Sequence, residues 1–95
     1  MQVFEDRDAN FTKLLAQKLT KGTAGIIALL ASAQAPPALI FARSLDLAPD
    51  MGSLLRELVT AAGGRGGGGK DFAQGGVPDK AKLRSVLEDA THRVA

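Results

Sequence analysis

The residues with the most evident chemistry lie in one stretch, GGRGGGGKDFAQGG, which spans positions 63 to 76 and holds eight of the chain's eleven glycines. Backbone without Cβ atoms lets another chain come close and leaves N–H donors unhindered, while Arg65 and Lys70 can add charge-assisted bonds. That combination suits a phosphate-bearing ligand. Two nucleotide-loop patterns are satisfied by spacing: Gly64, Gly66 and Gly69 fit G-x-G-x-x-G, and Gly64 with Gly69 and Lys70 fits the start of G-x-x-x-x-G-K-[ST]. Both devices need a strand before the glycines and a helix directly after, so that phosphate meets a helix N-terminus. Here a helical pattern precedes the glycines, DFAQGG intervenes before the next helix, and Asp71 stands where the magnesium-binding hydroxyl belongs. Nucleotide binding of either kind is set aside. A flexible Gly-rich linker and an ordered binding loop both stay open.

Other side chains offer less. Phe72 can stack on a base or pack into a core, and a lone aromatic beside helices favours the core. Gln74 can reach a ribose or hold the loop through backbone bonds, the commoner use of such a side chain. Glu5, Asp6 and Asp8 crowd around Arg7. That pattern suits a turn, a helix cap and surface ion pairs better than acid–base catalysis, which needs a convergent partner. His92 is the only histidine and there is no cysteine, so neither a zinc site nor a disulfide is expected, and serine or threonine nucleophiles find no histidine base. Lys80, Lys82, Arg84 and Arg93 could extend a basic face, but Glu88 and Asp89 interrupt it, as on an ordinary charged helix. No catalytic residue, metal or cofactor is assigned.

The chain that must position these groups has 95 residues, enough for one domain with one modest core. Hydrophobic residues at 45% and charged residues at 23% are those of a globular protein. A net charge of +2 permits an anionic partner without announcing one. The longest apolar run, Ala24 to Ala31, is far too short to span a bilayer, and Met1 leads into polar sequence rather than a signal peptide. A cytoplasmic protein with no membrane partner is expected. Gln2–Phe4 reads as a short strand with no lead-in, which suggests a fragment of a larger chain. Phe11, Leu14, Leu15 and Leu19 mark one face of a helix, with Asp8 or Asn10 as its cap and Gly22 at its end. Gly25–Ser32, apolar throughout, reads as a strand covered on both faces, and Ala38–Ser44 as a second strand after the AQAPP interruption. Asp50 can cap a helix with the stripe Met51, Leu54, Leu55, Leu58, Val59 and Ala62, stopped by Gly63. Asp79 can cap a third, striped by Leu83, Val86, Leu87, Ala90 and Val94. The expected fold is a small two-layer α/β sandwich, a mixed β-sheet packed by about three helices, in the order β-α-β-β-α-Gly loop-α.

The glycine block also resembles a known signature. GGRGGGGKDFAQGG is similar to the alanyl-tRNA synthetase form of the DHH-associated domain, where a glycine cluster with a basic residue runs into an alanine–glutamine–glycine turn. VFEDRD, the two-strand segment and DMGSLLRELV carry the resemblance over nearly the whole chain. It implies that residues 1–95 form one DHH-associated domain, cut from an alanyl-tRNA synthetase or a related stand-alone alanyl-tRNA editing protein. The implied partners are tRNA, in particular tRNA-Ala, and the remaining domains of the parent. The implied contact surface is Gly64, Arg65, Gly66, Gly67, Gly68, Gly69, Lys70, Gln74 and Gly75. Such a domain would show no turnover by itself. A cousin of the fold serves DHH-type phosphoesterases as a substrate clamp, with histidine near the place Lys70 takes here. A structural module, or a homodimer paired through an exposed sheet edge, is the third alternative.

Overall fold

The computed structural model describes residues 2–21, 24–34, 36–47 and 49–94. Short acidic side chains open its helices. Asp8 Oδ1 accepts from the Phe11 N–H at 2.8 Å, Asp50 Oδ1 from Ser53 at 3.1 Å and Asp79 Oδ1 from Ala81 at 2.9 Å. Each satisfies a donor that has no intrahelical partner. They start α1 (Ala9–Thr20), α2 (Met51–Ala61) and a 3-10 turn (Lys80–Lys82) that leads into α3 (Leu83–Val94). Gly22, expected to end α1, lies outside the described residues. The end of α2 is as the sequence implies: Gly63 takes φ +85°, its N–H bonds the Thr60 carbonyl at 3.1 Å, and the Gly64 N–H bonds Val59 at 2.7 Å. This pair of bonds is the usual closure of a helix on a left-handed glycine.

Five strands form one sheet: β1 (Gln2–Phe4), β2 (Ile27–Ser32), β3 (Ala38–Arg43), β4 (Arg65–Gly68) and β5 (Phe72–Gly76), in the spatial order β1-β2-β3-β5-β4. β1 runs parallel to β2, through the crossover that contains α1, and every other pair is antiparallel. The expected glycine loop is thus a β-hairpin. Gly68 pairs with Ala73 near its turn and Arg65 with Gly76 at its base, while β5 pairs along β3 from Ala42↔Phe72 to Ala38↔Gly76. Glycine lacks the side chains that make an alternating pattern, so nothing local marks these residues as strands. The ladder with β3 and the cover of α2 make them so.

The all-apolar run predicts cover on both faces, and both are covered, which divides the sandwich into three layers rather than two. Leu29, Ala31, Leu39, Phe41 and Ala73 meet the stripes of α2 and α3, where Met51, Leu55, Val59, Leu83 and Leu87 are buried. On the other face Ala28, Leu30, Ile40 and Ala42 meet α1. The stripe of α1 departs from expectation. Thr12 and Ala16 make the buried contact, Leu15 is partly buried, and Phe11, Leu14 and Leu19 stay 38%, 52% and 43% exposed. Small residues on both sides of this contact let the helix approach along the Thr12–Ala16 line, which leaves the flanking leucines outside it. The Thr12 hydroxyl donates to the Asp8 carbonyl at 3.0 Å and so costs little in its buried position.

Candidate nucleic-acid interface

The hairpin is pinned at its tip. The Gly69 N–H donates to the Phe72 carbonyl at 2.9 Å, closing the turn. At the start of α2, the Met51 N–H donates to the Lys70 carbonyl at 2.9 Å and the Gly52 N–H to the Gly69 carbonyl at 3.0 Å. The Arg43 guanidinium, at the end of β3, places Nε 3.1 Å from the same Lys70 carbonyl. The first amides of α2 are therefore spent on the hairpin, and the Asp50 carboxylate takes the Ser53 amide. A phosphate would have to displace these partners to reach this helix N-terminus, which adds a physical reason against the nucleotide-loop patterns.

Close packing explains much of the glycine content. A Cβ built on Gly52 of α2 would stand 2.5 Å from the Gly68 carbonyl oxygen. One on Gly64 would collide with the Gly76 carbonyl oxygen, and one on Gly66 with the Leu55 side chain and the Gly75 backbone. Helix and hairpin thus meet backbone to backbone. Gly67 differs: its added Cβ would meet only the Arg56 guanidinium, at 3.3 Å, and Gly69 has looser surroundings still.

The site residues expected from sequence distribute accordingly. Gly64 leads into β4; Arg65, Gly66, Gly67 and Gly68 are β4; Gly69 and Lys70 are in the turn; Gln74 and Gly75 are in β5. Arg65, Lys70 and Gln74 are exposed. In β5, Ala73 faces the α2 side and Phe72 packs partly against the α1-side cluster. Alternation along the strands puts Gln74, and through the Arg65↔Gly76 pair Arg65, on the face that carries α1. α1 lies mainly over β2 and β3, and Arg65 and Gln74 are exposed on that face. Arg65 at its base and Lys70 at its tip are separated by roughly 15 Å of strand, more than one phosphate step. Phe72 is half-buried, in keeping with the packing role expected of it. The Gln74 side chain makes no hydrogen bond among the described residues, so the backbone-bonding role expected for it is not found.

Two further cations join the hairpin that sequence reading missed: Arg56, beside Gly67, and Arg43. Arg43 bonds the carbonyls of Pro49 and Lys70, Arg56 is brought beside Gly67 by packing, and no spacing rule points to either. Among the other candidates, Asp8 is a helix cap, and the Arg7 guanidinium sits 4.9 Å over the Phe11 ring, which also meets Phe4 edge-on. Arg93 forms a two-pronged pair with Glu57 of α2, at 2.8 and 3.1 Å. His92 is exposed near the end of α3.

A mixed sheet with α1 on one face, α2 and α3 on the other, and a glycine hairpin at one edge defines a small α/β domain. The chain belongs to the DHHA1 domain family, whose model matches residues 5–95. It is similar to the alanine–tRNA ligases of Caulobacter sp. (strain K31), 39% identical over 75 residues, and Gluconobacter oxydans, 39% identical over 88 residues. These matches cover 76% and 82% of this chain but only 8% and 10% of those proteins, so it spans a tenth or less of their length. The C-Ala domain of Aquifex aeolicus alanyl-tRNA synthetase shares the fold, with a TM-score of 0.85 at 23% identity, over 97% of this chain and 86% of that one. Among the described residues no helix is long and apolar enough to cross a membrane.

Proposed function

We propose that this chain is a tRNA-binding accessory domain of an alanyl-tRNA synthetase-like protein, and that its glycine hairpin contacts the RNA backbone. The observation that carries this reading is the pinned hairpin, which holds Arg65 and Lys70 exposed. Phosphate contacts of this kind position a folded RNA without reading its sequence, and recognition of structured RNA rests mainly on shape. The family and the relatives named alanine–tRNA ligase support the parentage. On this reading the rest of the parent supplies catalysis in the cytoplasm, tRNA-Ala is the partner, and residues 1–95 alone turn over no substrate.

The contact residues are Arg65, Gly67, Gly69, Lys70 and Gln74, with Arg56 beside them. Gly64, Gly66, Gly68 and Gly75 serve the surface indirectly, by letting the hairpin lie flat against α2 and upon itself. The test is a titration of tRNA-Ala transcript at low and moderate salt. Arg65→Ala with Lys70→Ala should weaken binding several-fold and lower the salt slope by about one for each phosphate no longer neutralised. Unchanged affinity at low salt would remove the hairpin from the interface. Preferential binding of small phosphorylated nucleotides over tRNA would favour the phosphoesterase-type clamp instead.

A further inference from the structure

We infer that Arg43 is a positioning residue, which braces the hairpin tip so that Lys70 is presented to RNA; the inference rests on the RNA-contact reading above. Arg43 closes β3, and its own N–H pairs with the Asp71 carbonyl at 2.9 Å. Its Nε–H is shared between the Pro49 carbonyl at 2.6 Å and the Lys70 carbonyl at 3.1 Å, and Nη1 donates to the Ser44 carbonyl at 3.1 Å. One guanidinium therefore ties together the end of β3, the approach to α2 and the tip of the hairpin. The Lys70 carbonyl also accepts from the Met51 N–H. With that carbonyl held by two donors against the protein, the Lys70 side chain stays exposed.

The physical need for such a brace is plain. A turn of Gly69, Lys70 and Asp71 next to Gly68 has much backbone freedom to lose, and any part that survives folding must be given up on binding RNA. A planar guanidinium suits the task because it offers several fixed donors and no acceptor to carbonyls that lie apart. A lysine ammonium at position 43 can reach fewer of them in fixed directions.

The test compares wild type, Arg43→Gln, Arg43→Lys, Lys70→Ala and the Arg43→Gln/Lys70→Ala double variant. Affinity for a folded tRNA transcript is read across a salt series, with amide hydrogen exchange at residues 68–72, at a temperature where each variant is folded. Arg43→Gln should raise Kd about tenfold, the cost of ordering the tip at binding, with the salt slope unchanged and faster exchange at the tip. Arg43→Lys should fall between, and it carries the test alone if the glutamine variant does not fold. Against Lys70→Ala, the second substitution should cost little more, because the braced group is already gone. A salt slope reduced by about one would make Arg43 a phosphate ligand and overturn the inference. So would fully additive losses, or an unchanged Kd with faster exchange. If Arg65→Ala/Lys70→Ala lowers affinity while Arg43→Gln does not, only this inference fails. If neither does, the RNA-contact reading fails and takes the inference with it.

Discussion

Gly64 and Gly67 lie three positions apart in one hairpin, yet an added methyl group meets different matter at each. At Gly64 it runs into the Gly76 carbonyl oxygen, a backbone atom held in the ladder; at Gly67 it meets the movable end of Arg56. Gly64→Ala should therefore destabilise the fold by about 1–3 kcal/mol, as overpacking does, whereas Gly67→Ala should stay within about 0.5 kcal/mol. Urea denaturation of the two variants checks the contrast, and equal midpoints would contradict the backbone-to-backbone seat of the hairpin. Composition alone makes all these glycines look alike. What separates them is the neighbour each one faces across the sheet, which only three-dimensional packing supplies.

Among elements, α2 does the most to organise the site. Its first amides hold the hairpin tip, and Asp50 completes its start. The Ser53 N–H holds the Asp50 carboxyl below its ordinary pKa; the Ser44 hydroxyl and Gly25 N–H do the same for Asp46, and Arg93 for Glu57. A carboxyl depressed in the folded state stabilises fully above its unfolded pKa, and that contribution fades as pH falls through the folded value. Stability should accordingly decline below about pH 4, and Asp50→Ala should lower the urea midpoint at pH 7 while narrowing the gap between pH 7 and pH 3. An unchanged gap would deny the cap its role. The stripes of α2 and α3 were legible in the sequence because their leucines and valines recur at helical spacing and meet a broad sheet. The stripe of α1 misled, since its leucines flank a contact made by Thr12 and Ala16 and lie mostly outside it. The strands β4 and β5 were illegible for a plainer reason: strand patterning is written in side chains, and this hairpin has few. Of the candidate site, the exposed Arg65 and Lys70 could be picked out from the glycine block. Arg43 was hidden because it bonds backbone carbonyls as far along the chain as Lys70, and Arg56 because only packing brings it beside Gly67.

At the scale of the molecule, β5 sits between β3 and β4, so the strand that joins the hairpin to the sheet comes after α2 in the chain and pairs across it. A two-stranded ribbon is at best marginal alone in water, and one made largely of glycine has almost no cross-strand side-chain pairs to hold it. It can persist only once β3 offers an edge and α2 a floor. The expected folding order therefore has the β2–β3 hairpin and its helices assembling first and the glycine ribbon laid on afterwards. Gly52→Ala, which disturbs the seat of α2 against Gly68, should speed unfolding and leave the folding rate nearly unchanged. A chevron with a slowed folding arm would mean that the ribbon belongs to the nucleus. The same expected order has a meaning for a chain emerging from the ribosome: the glycine hairpin would be the last part of the domain to take its place.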